Sequence, residues 1–139
     1  MQTLNRSGQR SGCPISIALE MLGDAWSLLI VRDLMFKERQ TYNEFLHGGE
    51  HIASNILADR LRKLEEAGIV EKRGDPSDAR RFVYRLSAKG IDLVPVLVEL
   101  VIWSARHETT DAPAAVVRAM RTDRPAFIAG VRQRWRESR

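Results

Sequence analysis

The stretch from Ala53 to Leu86 constrains this chain more than any other. It opens with a strongly amphipathic segment and closes with two short runs rich in β-branched and aromatic residues, "IVEKR" and "RFVYRL". Between those runs lie Gly74, Pro76 and the pair Arg80-Arg81. In the first part, Ile56, Leu57, Leu61 and Leu64 recur at helical spacing. Asn55, Ala58, Asp59 and Arg62 fall on the opposite side, at about 100° per residue. A helix from Ala53 to about Ala67 follows, with Gly68 as its natural C′ residue. The two runs beyond it, separated by turn formers, read as an antiparallel hairpin. A helix feeding directly into a charged hairpin leaves few compatible folds.

The rest of the chain reads as helix. Ile15, Ala18, Leu19 and Leu22 share one face after Pro14, and Gly23 stops the run. Asp24 is a candidate N-cap for a helix from Ala25 to Phe36, apolar almost all round and therefore central. Thr41 caps a short helix, Tyr42 to Leu46, with Glu44 as capping-box partner. The two glycines of "HGGEH" then break the chain. Ser87 caps a long helix from Ala88 to about His107, in which Pro95 predicts a bend or an irregular turn. After Ala112, "PAAVVRAMR" and "RPAFIAGVRQRWR" read as two shorter helices. The expected fold is mainly α with one small β-hairpin. Three parts are expected: a flexible arm at 1–12, a main folded domain at 13–108, and a helical extension at 109–139.

A short helix, a Gly-containing turn and an amphipathic helix form a helix-turn-helix candidate, with the second helix in the DNA major groove. Ser54, Asn55, Asp59 and Arg62 are then the base-reading residues, because Asn pairs bidentately with adenine and Asp accepts from cytosine. Arg60 and Lys63 flank that face and reach phosphates. The hairpin adds Lys72, Arg73, Arg80, Arg81 and Arg85 on or beside a ribbon suited to backbone or minor groove. Together these make a winged helix-turn-helix. Polar residues opposite an apolar stripe are also what any solvated face shows. Asp75 and Asp78 can neutralise the wing arginines in a purely structural hairpin.

Net charge alone decides little. The chain of 139 residues carries +4, but residues 112–139 hold 7 Arg against 2 acids, leaving 15 Lys/Arg against 16 Asp/Glu before them. Overall basicity therefore comes from the tail, and local clustering carries the nucleic-acid argument. No apolar run reaches the roughly 18–20 residues that span a bilayer, and "MQTLNRSGQRSG" lacks the apolar core of a signal peptide. The single cysteine, Cys13, cannot form an intrachain disulfide, which suits a reducing compartment; a cytoplasmic protein without membrane contact is expected.

These segments resemble the HxlR-type winged-helix regulators, a MarR-like family. The resemblance lies in "CP" at Cys13-Pro14, "LGDAWSLLIVRDL" (Leu22–Leu34) and "HIASNILADRLRKLEEAGIV" (His51–Val70). It continues in "YRLSAKG" (Tyr84–Gly90) and "LVPVLVELVIW" (Leu93–Trp103). It covers about Cys13 to Trp103, and Ala53 stands where a capping Ser is common in the family. The resemblance implies a homodimer on double-stranded DNA that represses or activates in response to a chemical signal. The residues support the dimer separately. "IDLVPVLVELVIW" is too apolar around its circumference for a lone surface helix, so Leu93, Val94, Leu97, Val101 and Trp103 are expected at a subunit interface.

Cys13 matches the cysteine that senses oxidants or electrophiles in some family members. Such chemistry needs a thiolate near a helix N-terminus or positive charge, and Cys13 precedes a helix start. An inert thiol at the edge of the core is the other reading. A small-molecule effector between the domain and the long helix, near Trp26 and Trp103, is also open. His47 and His51 are four apart, but the glycines between them oppose a helix, and no metal or other cofactor is expected. No phosphate loop, nucleophile motif or carboxylate pair points to an enzyme. A winged-helix module that binds a protein instead of DNA is the alternative function. Salt dependence with retained sequence preference separates the two.

Overall fold

The computed structural model describes residues 8–138. The expected loose arm at 1–12 thus lies largely outside the described residues. Eight helices and one hairpin follow in the order α1 (Pro14–Leu22), α2 (Ser27–Phe36), α3 (Tyr42–Leu46), α4 (Ser54–Glu66), β1 (Val70–Asp75), β2 (Asp78–Leu86), α5 (Ala88–Ile91), α6 (Val94–His107), α7 (Ala114–Thr122) and α8 (Arg124–Glu137). The chain is a winged helix.

The nearly all-apolar helix is central, as its composition requires. α2 packs against α1, α4, α6, α8 and β2, and buries Ile30, Val31 and Met35. α4 sends Leu57, Leu61 and Leu64 into the same core. β1 and β2 pair antiparallel, from Val70 opposite Leu86 to Gly74 opposite Phe82, with an irregularity at Gly74/Asp75. The hairpin is buried only at its base, where Val70, Tyr84 and Leu86 enter the core. Its tip projects into solvent.

Local capping sets several boundaries. The Thr41 hydroxyl accepts from the Glu44 amide at 3.2 Å while the Glu44 carboxylate accepts from the Thr41 amide at 3.0 Å, a complete capping box. α4 ends in a Schellman arrangement. Gly68, at φ +76°, donates to Glu65 O, and Ile69 donates to Leu64 O at 3.0 Å. The left-handed φ is why glycine stands there.

Two boundaries differ from the sequence reading. α2 starts at Ser27 rather than Ala25, because Asp24 accepts from both the Trp26 amide (2.8 Å) and the Ser27 amide (3.0 Å). The long helix expected from Ala88 is two helices. Pro95 lies in the first turn of α6, where its missing N–H costs nothing, so the break falls at Asp92-Leu93 before it. The tail joins the same core: Met120 of α7 and Val131 of α8 are buried, and α8 packs on α2 and α6. Among the described residues, no single helix is long and apolar enough to cross a membrane.

Candidate nucleic-acid interface

The face of α4 that points away from the core carries Ser54, Asn55, Ala58, Arg62 and Lys63, all exposed. Ala53 occupies the N-cap without a side-chain hydrogen bond. The start of the helix is instead held by Tyr42, whose hydroxyl donates to Ser54 O at 2.9 Å, tying α3 to α4. Ser54 and Asn55 therefore stand at the first turn of a fixed helix, where a major-groove reader presents its side chains.

Asp59 and Arg60 depart from the expected presentation. Asp59 is half-buried and accepts from Arg60, Arg62 (2.7 Å) and Lys63 (3.3 Å). The hydrogen bond from Arg62 leads in holding its carboxyl below the usual range; burial opposes it, and the Lys63 hydrogen bond and the two cations' charges add to the lowering. Its acceptors are occupied, so a base would have to displace a cation from it. Arg60, expected on a phosphate, is turned inward: its Nε donates to Asp24 at 2.9 Å. The physical reason is geometric. Arg60 lies beside Leu57, Leu61 and Leu64 on the helix circumference and meets the α1–α2 loop.

The Asp24–Arg60 pair locks the outward helix to the core. Burial pushes the Asp24 carboxyl up, but hydrogen bonds from Ser27 Oγ, the Trp26 amide, Arg60 and the Ser27 amide outweigh it and hold it at about 2. A depressed folded-state pKa adds stability above the unfolded-state value, near 4, that is lost as pH falls through 2. Allowing for partial exposure, the contribution is on the order of 1–2 kcal/mol. Asp24→Ala is expected to lower the urea midpoint at pH 7, with the difference from wild type closing between pH 4 and pH 2.

A clamp of backbone contacts sets the wing against α4. The Ser87 hydroxyl donates to Gly68 O and accepts from the Gly90 amide at 3.0 Å, and Lys89 Nζ donates to Ala67 O at 2.7 Å. Gly90 passes so close to Ile69 that a Cβ there would lie 2.2 Å from Ile69 O. The "YRLSAKG" segment thus fixes the angle between helix and hairpin.

The wing cations separate into three environments. The Arg80 side chain is 92% exposed, with a long contact of 3.5 Å to Asp78. Arg81 is held by Asp75 (2.7 Å), whose carboxyl is drawn down to about 2, first by the Ser77 amide. Lys72 stacks over the exposed ring of Phe82, 4.2 Å from its centroid, and Arg73 is exposed. Arg85 is not a wing cation. It lies at the base of the hairpin between Tyr84 and Leu86, is buried, and stacks on Trp135 of α8 at 4.8 Å.

The expected interface residues also need correction. Val94 and Leu97 are buried in the protomer's own core and offer no area to a partner. Leu93 and Val101 are half-buried. The outward apolar residues of α6 are Val96, Leu100 and Trp103, with Ile15 and Leu19 similarly exposed on α1. Spacing of four and three between 96, 100 and 103 was the available signal. Cys13 is exposed at the N-cap of α1. Hydrogen bonding to the Ser16 and Ile15 amides lowers its thiol pKa, with a small opposing effect of burial. His47 caps α3 and pairs with Asn43 O, and His51 sits in a left-handed turn at φ +60°. Among the described residues, no cluster of three His, Cys, Asp or Glu could hold a metal.

Helix, clamp and projecting hairpin define a winged helix-turn-helix of the transcriptional-regulator class. The HxlR-like helix-turn-helix family model matches residues 21–112. The chain belongs to that family. An uncharacterized HTH-type transcriptional regulator of Mycobacterium tuberculosis is 34% identical over 77% of this chain, which spans 66% of that relative's length. The HTH-type transcriptional regulator YodB of Bacillus subtilis is 32% identical over 66% of this chain and 82% of its own. Among solved structures, PA1607, a candidate transcription factor, superposes with TM-score 0.68 at 35% identity, over 78% of this chain and 74% of its own. Reduced YodB superposes with TM-score 0.58 at 31% identity, over 68% of this chain and 93% of its own. YodB has also been solved diamide-treated and quinone-bound.

Proposed function

We propose that this protein is a homodimeric regulator that binds a two-fold-symmetric DNA site, reads bases with α4 and straddles the backbone with the wing. The observation that carries this reading is the exposed first turn of α4, with Ser54 and Asn55 outward, beside a clamped hairpin whose Arg80 is almost fully solvated. Ser54, Asn55 and Arg62 approach bases. Asp59 sets the position of Arg62 and Lys63 and joins the readout only where a base replaces a cation. Lys63, Lys72, Arg73, Arg80 and Arg81 lie at phosphates or the minor groove. Arg60 acts by holding α4 through Asp24. Two copies related by a two-fold axis place their readers about 34 Å apart or a multiple of that. Repression follows where such a site overlaps a promoter.

Two substitutions separate readout from positioning. Asn55→Ala is expected to cost about 1–3 kcal/mol on the preferred site and to relax choice at one base position per half-site. Arg80→Ala is expected to weaken all sequences alike and to lower the salt slope by about one per protomer. Titrations of matched and single-mismatch duplexes at two salt concentrations check both. Unchanged base preference in Asn55→Ala would remove that residue from the readers.

A specific observation favours a thiol input. Cys13 is exposed, its thiol pKa is lowered at a helix start, and the similar YodB has been solved reduced, diamide-treated and quinone-bound. Oxidation here joins two Cys13 thiols across a dimer, or one with a small thiol, breaking two S–H bonds to form one S–S bond and passing two electrons and two protons to the oxidant, here diamide. Diamide is expected to lower operator affinity reversibly in wild type and to leave Cys13→Ser unaffected. Equal loss in Cys13→Ser would place the sensor elsewhere.

A further inference from the structure

The turn that leads into α4 has little local support beyond the Tyr42 hydroxyl. Ala53 caps the helix with no side-chain hydrogen bond. Gly49 and His51, just before it, both hold positive φ. A long-range network ties this turn to α2. The Asp33 carboxylate is buried, at 4% exposure, and its Oδ1 accepts from two arginines. Arg32 donates through Nε at 3.0 Å and Nη2 at 2.8 Å, and Arg39 through Nη1 at 3.0 Å. The other end of the Arg32 fork, Nη1, donates to Glu50 Oε2 at 3.0 Å. Arg32 therefore bridges a buried carboxylate of α2 and an exposed one in the turn.

The same residue reaches toward the wing. The Arg39 amide donates to Asp33 O at 3.1 Å, and the next residue, Gln40, accepts from the Tyr84 amide of β2 at 2.8 Å. Gly48 closes on the network from a third direction. A Cβ there would lie 3.1 Å from Arg39 Nη1 and 3.3 Å from Asp33 Oδ2. Stability alone does not call for a buried charge at this point, because an apolar side chain would fill the space without desolvating one. What an apolar side chain lacks is direction. A planar fork held by a carboxylate fixes one geometry between the segments that carry it.

We propose that Asp33 is a positioning residue for base readout. Through Arg32 and Glu50 it sets where α4 begins, and so where Ser54 and Asn55 stand. Through Arg39 it ties that start to the base of the wing. Asp33 and Arg32 do this without touching a base. Cutting the tether leaves α4 folded but frees its first turn to shift against the wing, and preferred and mismatched sites become more alike. The role in readout rests on α4 being the base-reading helix; the tether itself does not.

The test uses Arg32→Lys and Glu50→Gln in the full chain. Lysine keeps the charge but cannot fork between two carboxylates. Glu50→Gln cuts the exposed end of the tether, so its Tm is expected to change little. The first readout is amide hydrogen exchange without DNA. The Gly48 and Leu57 amides, bonded to Phe45 O and Ala53 O, are expected to exchange about threefold faster or more in both variants. The amides of Leu61 and Leu64 are expected to keep their rates. Unchanged exchange at Gly48 and Leu57 would overturn the tether. The second readout is the ratio of affinities for a selected duplex and its single mismatch at the position relaxed in Asn55→Ala. That ratio is expected to fall about threefold or more in each variant, and no further in the double variant, since both changes cut one path. A retained ratio, equal loss on both duplexes, or additive losses in the double variant would overturn the role in readout. A wild-type chain that fails to discriminate the duplexes removes base reading by α4 and this role with it, while the exchange rates still decide the tether.

Discussion

A chain carrying Leu100→Glu and Trp103→Glu is expected to sediment as a monomer while keeping its fold. Both side chains are substantially exposed in the protomer, at 46% and 60%, so neither charge has to enter its core. In a two-fold interface each substitution counts twice. Four apolar side chains leave the contact, at about 1.5–3 kcal/mol each, so the loss is roughly 6 kcal/mol or more. Operator affinity should then fall by about 100-fold or more, because the second half-site is no longer bound intramolecularly. Leu97→Glu is the contrasting change. Leu97 is buried within the protomer, so this variant is expected to unfold rather than to dissociate. Sedimentation together with circular dichroism distinguishes the two outcomes. A double variant that remains dimeric would move the interface off the outer face of α6.

Gly90→Ala is expected to be the most destabilising single-methyl change in the wing region. The added Cβ would stand 2.2 Å from Ile69 O and 3.0 Å from Leu86 Cδ2. The first neighbour is backbone and cannot rotate away, so either the start of β1 or the start of α5 must move. Overpacking of this kind costs about 3 kcal/mol, or roughly 10 °C in Tm for a chain of this size. Because Ser87, Lys89 and Gly90 jointly hold the hairpin to the end of α4, DNA affinity should fall beyond what instability explains. Gly74→Ala is the control: a Cβ there meets nothing within 4 Å, and its Tm should change little. Thermal melts of the two variants, followed by DNA titration well below both midpoints, check the claim.

What was legible in the sequence was what local physics controls. The capping box at Thr41 and Glu44 and the left-handed turn at Gly68 depend on neighbours within a few residues, and both formed as their sequences require. The apolar stripe of α4 and the β-rich runs likewise define the helix and hairpin. What was not legible depends on partners distant in the chain. Arg60 is an ordinary cation on the helix circumference until Asp24, 36 residues earlier, takes it. Arg85 reads in sequence like the other wing cations, yet it stands at the base of the ribbon, where Trp135, 50 residues later, covers it. Apolar content alone assigned Val94 and Leu97 to a partner, because periodicity does not say which of two apolar stripes faces home. The tail gave its helices through Pro113, Pro125 and the flanking Asp residues, but not its seat on α2 and α6.

The most direct test of the central claim is selection of genomic DNA fragments by the purified protein at near-physiological salt. The expected result is one enriched motif with two-fold symmetry, its half-sites about one helical turn (~34 Å) or a multiple apart, with one position relaxed in Asn55→Ala. Retention governed by salt alone, with no motif enriched, would contradict sequence-specific readout and favour a winged-helix module that docks on protein.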